Sequence, residues 1–173
     1  MYPDWGTAQR ELRLAGALTL DLWIAHSENV ALARRIAEVC PGLEADKAYV
    51  CGLLHDIGRR TGVAVMRHSM DGCDDAMAQG WNEAACVCLT HAFPVQDIET
   101  DMGRKDIMPE QQRFIDGYLK HLTYDPYDKL IIVCDALTDA QSFCILGKRF
   151  VDTMRRFGAY PFTGTRWNRT YAF

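Results

Sequence analysis

The amino-acid sequence predicts an all-α fold, a helical bundle. Apolar residues recur at helical spacing along most of the 173 residues, and no region shows the sustained period-two alternation of a half-buried strand. The breaks between these stretches are short and fall at glycine and proline. With 49% hydrophobic residues, the chain has enough apolar material for one domain, residues 1–173, with a sizeable core.

Three helices are predicted in the N-terminal third. Helical spacing indicates the first over residues 6–23 and the second over residues 26–40, which the turn-forming string "PGLEAD" ends. A third runs from about Ala45 to Ile57, and we expect Gly58 to be its C-cap.

The rest of the chain indicates further helices and one long surface loop over residues 95–108. Gly80 ends a helix predicted over 68–79, and Pro94 follows one predicted over 82–91. Three more helical patterns cover 109–122, 125–140 and 144–157, the first of them with Pro109 in its first turn. The aromatic and basic tail 158–173 has no regular period. It is expected to be a packed or frayed terminus, with a flap over a site or a subunit contact as the alternatives.

Composition excludes several classes of protein. The formal net charge of −4 argues against a dedicated binder of nucleic-acid polymers or membrane surfaces, which is usually basic. Seven cysteines include no CxxC pair, so a zinc ribbon or thioredoxin-like motif is not expected. No secretory signal or membrane-spanning run is visible. We therefore expect a soluble, cytoplasmic protein with reduced cysteines.

Histidines and aspartates recur within or at the ends of the predicted apolar helices. The stretch "YVCGLLHDIGRR" (residues 49–60) is apolar until it meets a histidine and an aspartate, and such groups are costly to bury unless something satisfies them. Four of the five histidines lie at predicted helix edges, and a second aspartate lies within "LIIVCDAL". The set is His26, His55, Asp56, His68, His91 and Asp135.

Each member of this set alone has an ordinary explanation as a capping or hydrogen-bonded residue. Together they predict a metal site, because helical bundles build such sites from side chains on several facing helices. Imidazole and carboxylate ligands suit Fe, Mn, Zn or Ni. We expect one or two divalent ions, whose charge would compensate Asp56.

The order of these residues resembles the H…HD…D signature of the HD superfamily of metal-dependent phosphohydrolases. "HSENVALARRIA" is similar to the first ligand helix of that family, "CGLLHDIGR" to its central motif, and "KLIIVCDAL" to the helix with the last aspartate. The resemblance spans about residues 20–140, which would form the core of an HD-like helical bundle. Residues 141–173 would add a C-terminal helix and the tail.

Two further strings, "HSMDG" and "CVCLTHAF", resemble the binuclear subgroup. That subgroup includes dinucleoside-tetraphosphate hydrolases, cyclic-dinucleotide phosphodiesterases and a few di-iron oxygenases. The resemblance implies one ion held by His26, His55, Asp56 and Asp135, and a second by Asp56 as a bridge with His68 and His91. No GYP-type string follows, which disfavours cyclic di-GMP hydrolysis.

The resemblance implies hydrolysis of a phosphoester or phosphoanhydride by a metal-activated water, with a phosphorylated, nucleotide-like small molecule as substrate. Asp56 would bridge the ions, and Arg59, with Arg60 as a second candidate, would bind a substrate phosphate through its planar guanidinium. A solvated helix end also explains both arginines. A di-iron oxygenase, a non-enzymatic metal or nucleotide sensor, and a homodimer formed through the tail remain open alternatives.

Overall fold

A computed structural model of the chain describes residues 1–17, 22–139, 142–158 and 160–173. The α-helices in these ranges are α1 Trp5–Gly16, α2 Leu22–Val30, α3 Ala33–Ala37, α4 Ala45–Leu54, α5 Arg67–Ala78, α6 Asn82–Thr90, α7 Pro109–His121, α8 Pro126–Ala136, α9 Leu146–Phe157 and α10 Thr163–Tyr171. Two 3-10 helices lie at Ile57–Thr61 and Ile98–Thr100. The all-α prediction is confirmed, since the only extended pairing in the described ranges is an isolated bridge between Thr138 and Phe143.

Helix α4 lies at the centre and packs against α1, α2, α3, α6 and α8. A helix surrounded in this way must be apolar on nearly every side. Seven residues of α4 are buried, including Lys47, whose amine is neutralised by Glu83. The α4 residues Val50 and Cys51 belong to the two apolar clusters that form the core. The C-terminal end of α4 therefore lies in the middle of the molecule.

The second predicted helix, 26–40, is divided in two, which corrects the prediction. Helix α2 ends at Val30, α3 begins at Ala33, and His26 lies inside α2 instead of opening a helix. The division lies where α4 comes closest. A Cβ at Gly52 would be 2.6 Å from the Cα atom of Ala31 and 2.8 Å from the carbonyl oxygen of Val30. Residues 18–21, which the sequence places in one long first helix, lie outside the described ranges, as do 140, 141 and 159.

The prediction that α4 reaches Ile57 with Gly58 as its C-cap is wrong. Helix α4 ends at Leu54, and Gly58 sits inside the following 3-10 helix without the positive φ of a glycine cap. Its role is close packing. A Cβ at Gly58 would lie 2.0 Å from the carbonyl oxygen of His68 and 2.4 Å from the backbone nitrogen of Gly72. The absence of a side chain lets the 3-10 helix rest directly on α5.

The other predicted helices agree with the structure to within a few residues. Gly80 follows α5 with a φ of 75°, and Pro109 begins α7. Helix α8 is capped by Asp125, whose carboxylate accepts hydrogen bonds from the backbone nitrogens of Tyr127 and Asp128; it ends at Ala136, earlier than predicted. All seven cysteines are free, and four of them are buried.

The C-terminal tail is more ordered than its sequence indicated. Residues 163–171 form α10, which packs against α8. Its aromatic residues also contact α9: Trp167 stacks on Phe150 with ring centroids 4.4 Å apart, and Tyr171 meets the same ring edge-on. The tail is thus a packed terminus, one of the two forms that the sequence predicted, and its helical order is what the sequence did not indicate. Within the described ranges, no helix is both long and apolar enough to cross a bilayer.

Candidate metal centre

The six histidines and aspartates singled out in the sequence meet at one place, where α4 ends. Helices α2 and α8 supply His26 and Asp135, and the turn after α4 supplies His55 and Asp56. Two more imidazoles arrive from the start of α5 and the end of α6. Neighbouring imidazole centroids in the chain His26, His55, His91, His68 are 5.4, 5.0 and 5.2 Å apart.

The imidazoles are held in one orientation by the backbone. His55 Nδ1 lies 2.7 Å from the carbonyl oxygen of Gly52, and His91 Nδ1 lies 2.9 Å from that of Cys88. His68 Nδ1 contacts the carbonyl oxygen of Val65 in the same way. A carbonyl accepts only from an N–H, so these rings carry their proton on Nδ1 and leave the Nε2 lone pair free. Metal-binding histidines are commonly fixed by this arrangement.

Two buried atoms at the centre lack a hydrogen-bond partner among the described residues: His55 Nε2 and Asp56 Oδ1. Leaving such atoms unsatisfied costs free energy. Moreover, the Nε2 atoms of His68 and His91 are 3.1 Å apart, and with both protons on Nδ1 their lone pairs face each other. A cation among these atoms would satisfy all of them, so the residues fit a divalent metal.

The Asp56 carboxylate lies between the histidine cluster and an arginine. Its Oδ2 atom is 2.6 Å from Arg59 Nε, and its Oδ1 atom is 3.2 Å from His68 Nε2 and 3.5 Å from His91 Nε2. Burial alone would raise the pKa of Asp56, but the Arg59 guanidinium and the histidines hold it well below its usual range. Asp56 is therefore an anion with two oxygens on different sides.

At the other side of the centre, His26 Nε2 lies 2.9 Å from Asp135 Oδ1. Burial opposes charge on both groups, yet this contact raises the pKa of His26 and, with Arg149 nearby, lowers that of Asp135. Burial lowers the pKa of His55 to about 4 and that of His68 to about 3. Neutral imidazole is the form that binds metal.

The potential ligand atoms form two overlapping groups. One comprises His26, His55 and Asp135, and the other His55, Asp56 and His91; within each group the ligand atoms lie within 4.8 Å of one another. His55 has one free lone pair, because its Nδ1 atom is bonded to Gly52, so it can serve one ion only. A second ion would use His68, whose Nε2 atom faces both Asp56 and His91.

The centre opens into a cavity of about 480 Å³. One part of its wall is aromatic and comprises Trp23, Phe93, Phe150, Phe157 and Trp167. Four guanidinium groups also line it: Arg59, Arg149, Arg156 and Arg166. The surface loop contributes Asp101 to Gly103, and α10 contributes Trp167 and Thr170. The tail thus lies over the site.

The two arginines predicted to bind phosphate have different positions. Arg59 lines the cavity, with its Nη1 atom donating to the carbonyl oxygen of Ala64 at 3.1 Å and its Nη2 atom 3.5 Å from His68 Nε2. Arg60 is not among the cavity-lining residues and forms ion pairs with Glu11 and Asp75, at 3.1 and 2.7 Å. The structure therefore does not bring Arg60 to the predicted site, and its contacts explain it as a link between α1 and α5.

The sequence analysis did not single out three of the cavity arginines, Arg149, Arg156 and Arg166. Arg149 lies in a helix whose basic face is equally well explained as solvent-exposed. Arg166 lies in the tail, whose sequence has no recognisable helical period. Arg149 Nη2 lies 3.9 Å from Asp135 Oδ1. Nothing in the local sequence indicates this proximity, since it depends on how α9 folds back over α8.

Comparison with known protein families gives a match in the N-terminal part of the chain. Residues 8–93 match the HDOD domain family. The HDOD domain is related to the HD-domain metal-dependent phosphohydrolases, and HDOD proteins are often signalling proteins. The matched segment contains His26, His55, Asp56, His68 and His91 and ends before Asp135. No curated protein and no solved structure matches the chain.

Proposed function

We propose that the chain is a metal-dependent phosphohydrolase that cleaves a phosphoester or phosphoanhydride bond of a small molecule. The observation that carries this proposal is a buried cluster of inward-facing Nε2 and carboxylate oxygen atoms that opens into a cavity containing four guanidinium groups. Nitrogen and oxygen ligands suit a divalent transition metal, and guanidinium groups suit phosphate. The relation of the HDOD domain to HD-domain phosphohydrolases agrees with both.

We assign the ligands to two ions as the resemblance implies: His26, His55, Asp56 and Asp135 would hold one ion, and Asp56, His68 and His91 a second. Asp56 could be shared, because its Oδ1 atom faces His68 and His91 while its Oδ2 atom lies 3.9 Å from His55 Nε2. When bound, Fe, Mn, Zn or Ni ions supply a water of lowered pKa as nucleophile and neutralise charge on the phosphoryl oxygens. His26 would release any proton that it shares with Asp135 when it becomes a ligand.

The protein's own groups would bind and orient the substrate. Arg59 and Arg149 each lie next to a proposed ligand, Asp56 and Asp135 respectively, so both can reach a phosphate that sits at the centre. The aromatic part of the wall would hold the organic portion of the substrate and exclude water from that side. A nucleotide-like substrate fits this mixture of cationic and aromatic wall. The closer resemblance to dinucleoside-tetraphosphate hydrolases remains a prediction.

A sensor is the second candidate, and the observation in its favour is the match to a domain family often found in signalling proteins. In that case the same centre would bind metal and an anionic ligand without turnover. An oxygenase on the same ligands gains no support from the cavity arginines, because oxidation of a C–H bond does not itself require guanidinium groups.

A hydrolysis assay separates these candidates. The protein with the metal it retains would be incubated with p-nitrophenyl phosphate and bis(p-nitrophenyl) phosphate, beside Asp56→Ala and the control His121→Ala. His121 is exposed and lies outside the cavity lining. We expect turnover that Asp56→Ala abolishes and His121→Ala leaves unchanged. Metal and phosphate binding without turnover of any phosphoester would favour the sensor, and turnover that survives Asp56→Ala would contradict the proposed centre.

A further inference from the structure

The cavity arginines fall into two kinds according to what their guanidinium groups already bind. Arg59 is bonded to Asp56 and Ala64. Arg166 is partly buried and donates from both Nη atoms, to the carbonyl oxygens of Thr100 and Ala92 at 3.1 and 2.9 Å. Protein acceptors therefore hold both groups in place, and Arg166 acts as a fixed strut between α10 and the loop.

The guanidinium groups of Arg149 and Arg156 donate no hydrogen bond to any residue in the described ranges. Arg149 is partly buried and has one ion-pair contact there, the Asp135 oxygen at 3.9 Å, which is beyond hydrogen-bonding distance. Arg156 is exposed at the cavity wall and has no ion pair within 4.0 Å in the same ranges. Both cations remain available to a ligand.

The two free arginines lie on one face of α9. They are seven residues apart, which is two helical turns or about 10 Å along the helix axis. Thr153 lies between them and lines the cavity, as do the aromatic rings of Phe150 and Phe157 on the same helix. Arg149 is next to the proposed ligand Asp135, so Arg156 marks a second position, farther from the metal centre and beside an apolar surface.

We propose that Arg156 binds a second anionic group of the substrate, while Arg149 contacts the phosphate at the metal centre. This inference rests on the proposed function and narrows it. The substrate class is an organic compound with two phosphate groups, separated by a spacer that lies along the aromatic wall. The subsite is supplied by α9, which lies outside the residues that match the HDOD family.

Binding of two compounds that resist hydrolysis tests the subsite separately from turnover. Hexane-1,6-bisphosphonate and hexylphosphonate would be titrated by calorimetry into the metal-containing protein and into Arg149→Gln, Arg156→Gln and the control Arg155→Gln. Arg155 is an exposed neighbour on α9 that does not line the cavity. Each lost charge-assisted hydrogen bond should weaken binding roughly 10- to 100-fold.

We expect the bisphosphonate to bind more tightly than the monophosphonate. Arg156→Gln should remove that preference without changing monophosphonate binding, Arg149→Gln should weaken both compounds, and Arg155→Gln should change neither. Equal affinities in the unaltered protein, a preference that survives Arg156→Gln, or no binding of either compound would each overturn the subsite. An Arg156-dependent preference in a protein that hydrolyses no phosphoester would keep the subsite and reject the hydrolase. Hydrolysis of a phosphoester without a preference for the bisphosphonate would support the hydrolase and reject the subsite.

Discussion

At the scale of single residues, the position of His55 explains why a polar side chain follows an apolar helix. It follows the last residue of a helix that is buried on nearly every side, and its Nδ1 atom is bonded to a carbonyl one turn earlier. The ring therefore has a single free lone pair, on a buried atom without a partner. This combination explains how an apolar helix can be followed by a polar side chain, because the free Nε2 lone pair is placed where a cation could bind it.

His68 is proposed to bind the second ion, whereas His55 is proposed to bind the first. His68→Ala should lower the metal content by one ion per chain, because the second ion would lose one of its two histidines while the first keeps its four ligands. Elemental analysis by mass spectrometry, with circular dichroism to confirm the helical content, measures this. The control His121→Ala should retain the full metal content. A metal content for His68→Ala equal to that of the unaltered protein would remove His68 from the ligand set.

The spacing of histidines and aspartates predicted which side chains would gather, because a carboxylate or imidazole on an apolar helix is visible in the sequence itself. Arg149 and Arg166, unlike Arg59, could not be predicted in this way. Arginine is common on solvated helix faces, so the sequence around Arg149 and Arg166 does not indicate that they line a cavity. Their role depends on where α9 and α10 are placed, and that is a property of the folded chain.

At the scale of elements, two glycines decide how closely the ligand-bearing helices approach. Gly52 lets α4 contact the backbone at Ala31, and Gly58 lets the 3-10 helix rest on α5. These contacts also mark where the predicted helix boundaries were wrong. Periodicity describes one helix at a time, whereas these boundaries are set by a neighbouring backbone. The helices α5, α6 and α7, whose ends are marked by local glycine or proline signals, were predicted well.

Gly58→Ala tests the close approach of the 3-10 helix to α5. A Cβ there would lie 2.0 Å from a backbone oxygen, so one of the two elements must move. We expect the free energy of unfolding to fall by about 3 kcal/mol or more, with a loss of metal affinity because His55, Asp56 and His68 would be displaced. Denaturant unfolding and metal titration measure the two effects.

Gly117→Ala is the matched control for this substitution. Gly117 lies in α7, and a Cβ at this position would have no neighbour within 4 Å. Alanine is the better helix former, so this change should stabilise the protein by roughly 0.5–1 kcal/mol. Equal stability of Gly58→Ala and the unaltered protein would show that the contact is not close enough to matter.

At the scale of the whole molecule, the chain's C-terminal part completes a centre that its N-terminal part begins. The HDOD-matching segment, residues 8–93, supplies five of the six proposed ligands. Helix α8 then adds Asp135, α9 adds the free arginines, and α10 closes over the cavity through Arg166. The tail, which has no period in the sequence, is thereby tied to the carbonyl oxygen of Ala92, next to His91.

Arg166→Met tests this tie. It would remove both hydrogen bonds of the strut and leave the carbonyl oxygens of Ala92 and Thr100 without that donor. We expect a loss of about 1–3 kcal/mol in the free energy of unfolding and faster amide hydrogen exchange in α10. Asn168→Ala, at an exposed position of the same helix, should change stability by less than about 0.5 kcal/mol. Unchanged exchange in α10 for Arg166→Met would mean that the aromatic contacts alone hold the helix.

The central claim is that the buried histidine and aspartate cluster holds divalent metal. Its most direct test is the number of metal ions per chain, measured by mass spectrometry on protein purified without added metal, beside Asp56→Ala. We predict two ions per chain for the unaltered protein. Asp56→Ala, which lacks the shared carboxylate, should have almost none while keeping its helical circular dichroism. Absence of metal from the unaltered protein, with no binding when Fe, Mn, Zn or Ni is titrated, would contradict the account, as would an unchanged metal content in Asp56→Ala.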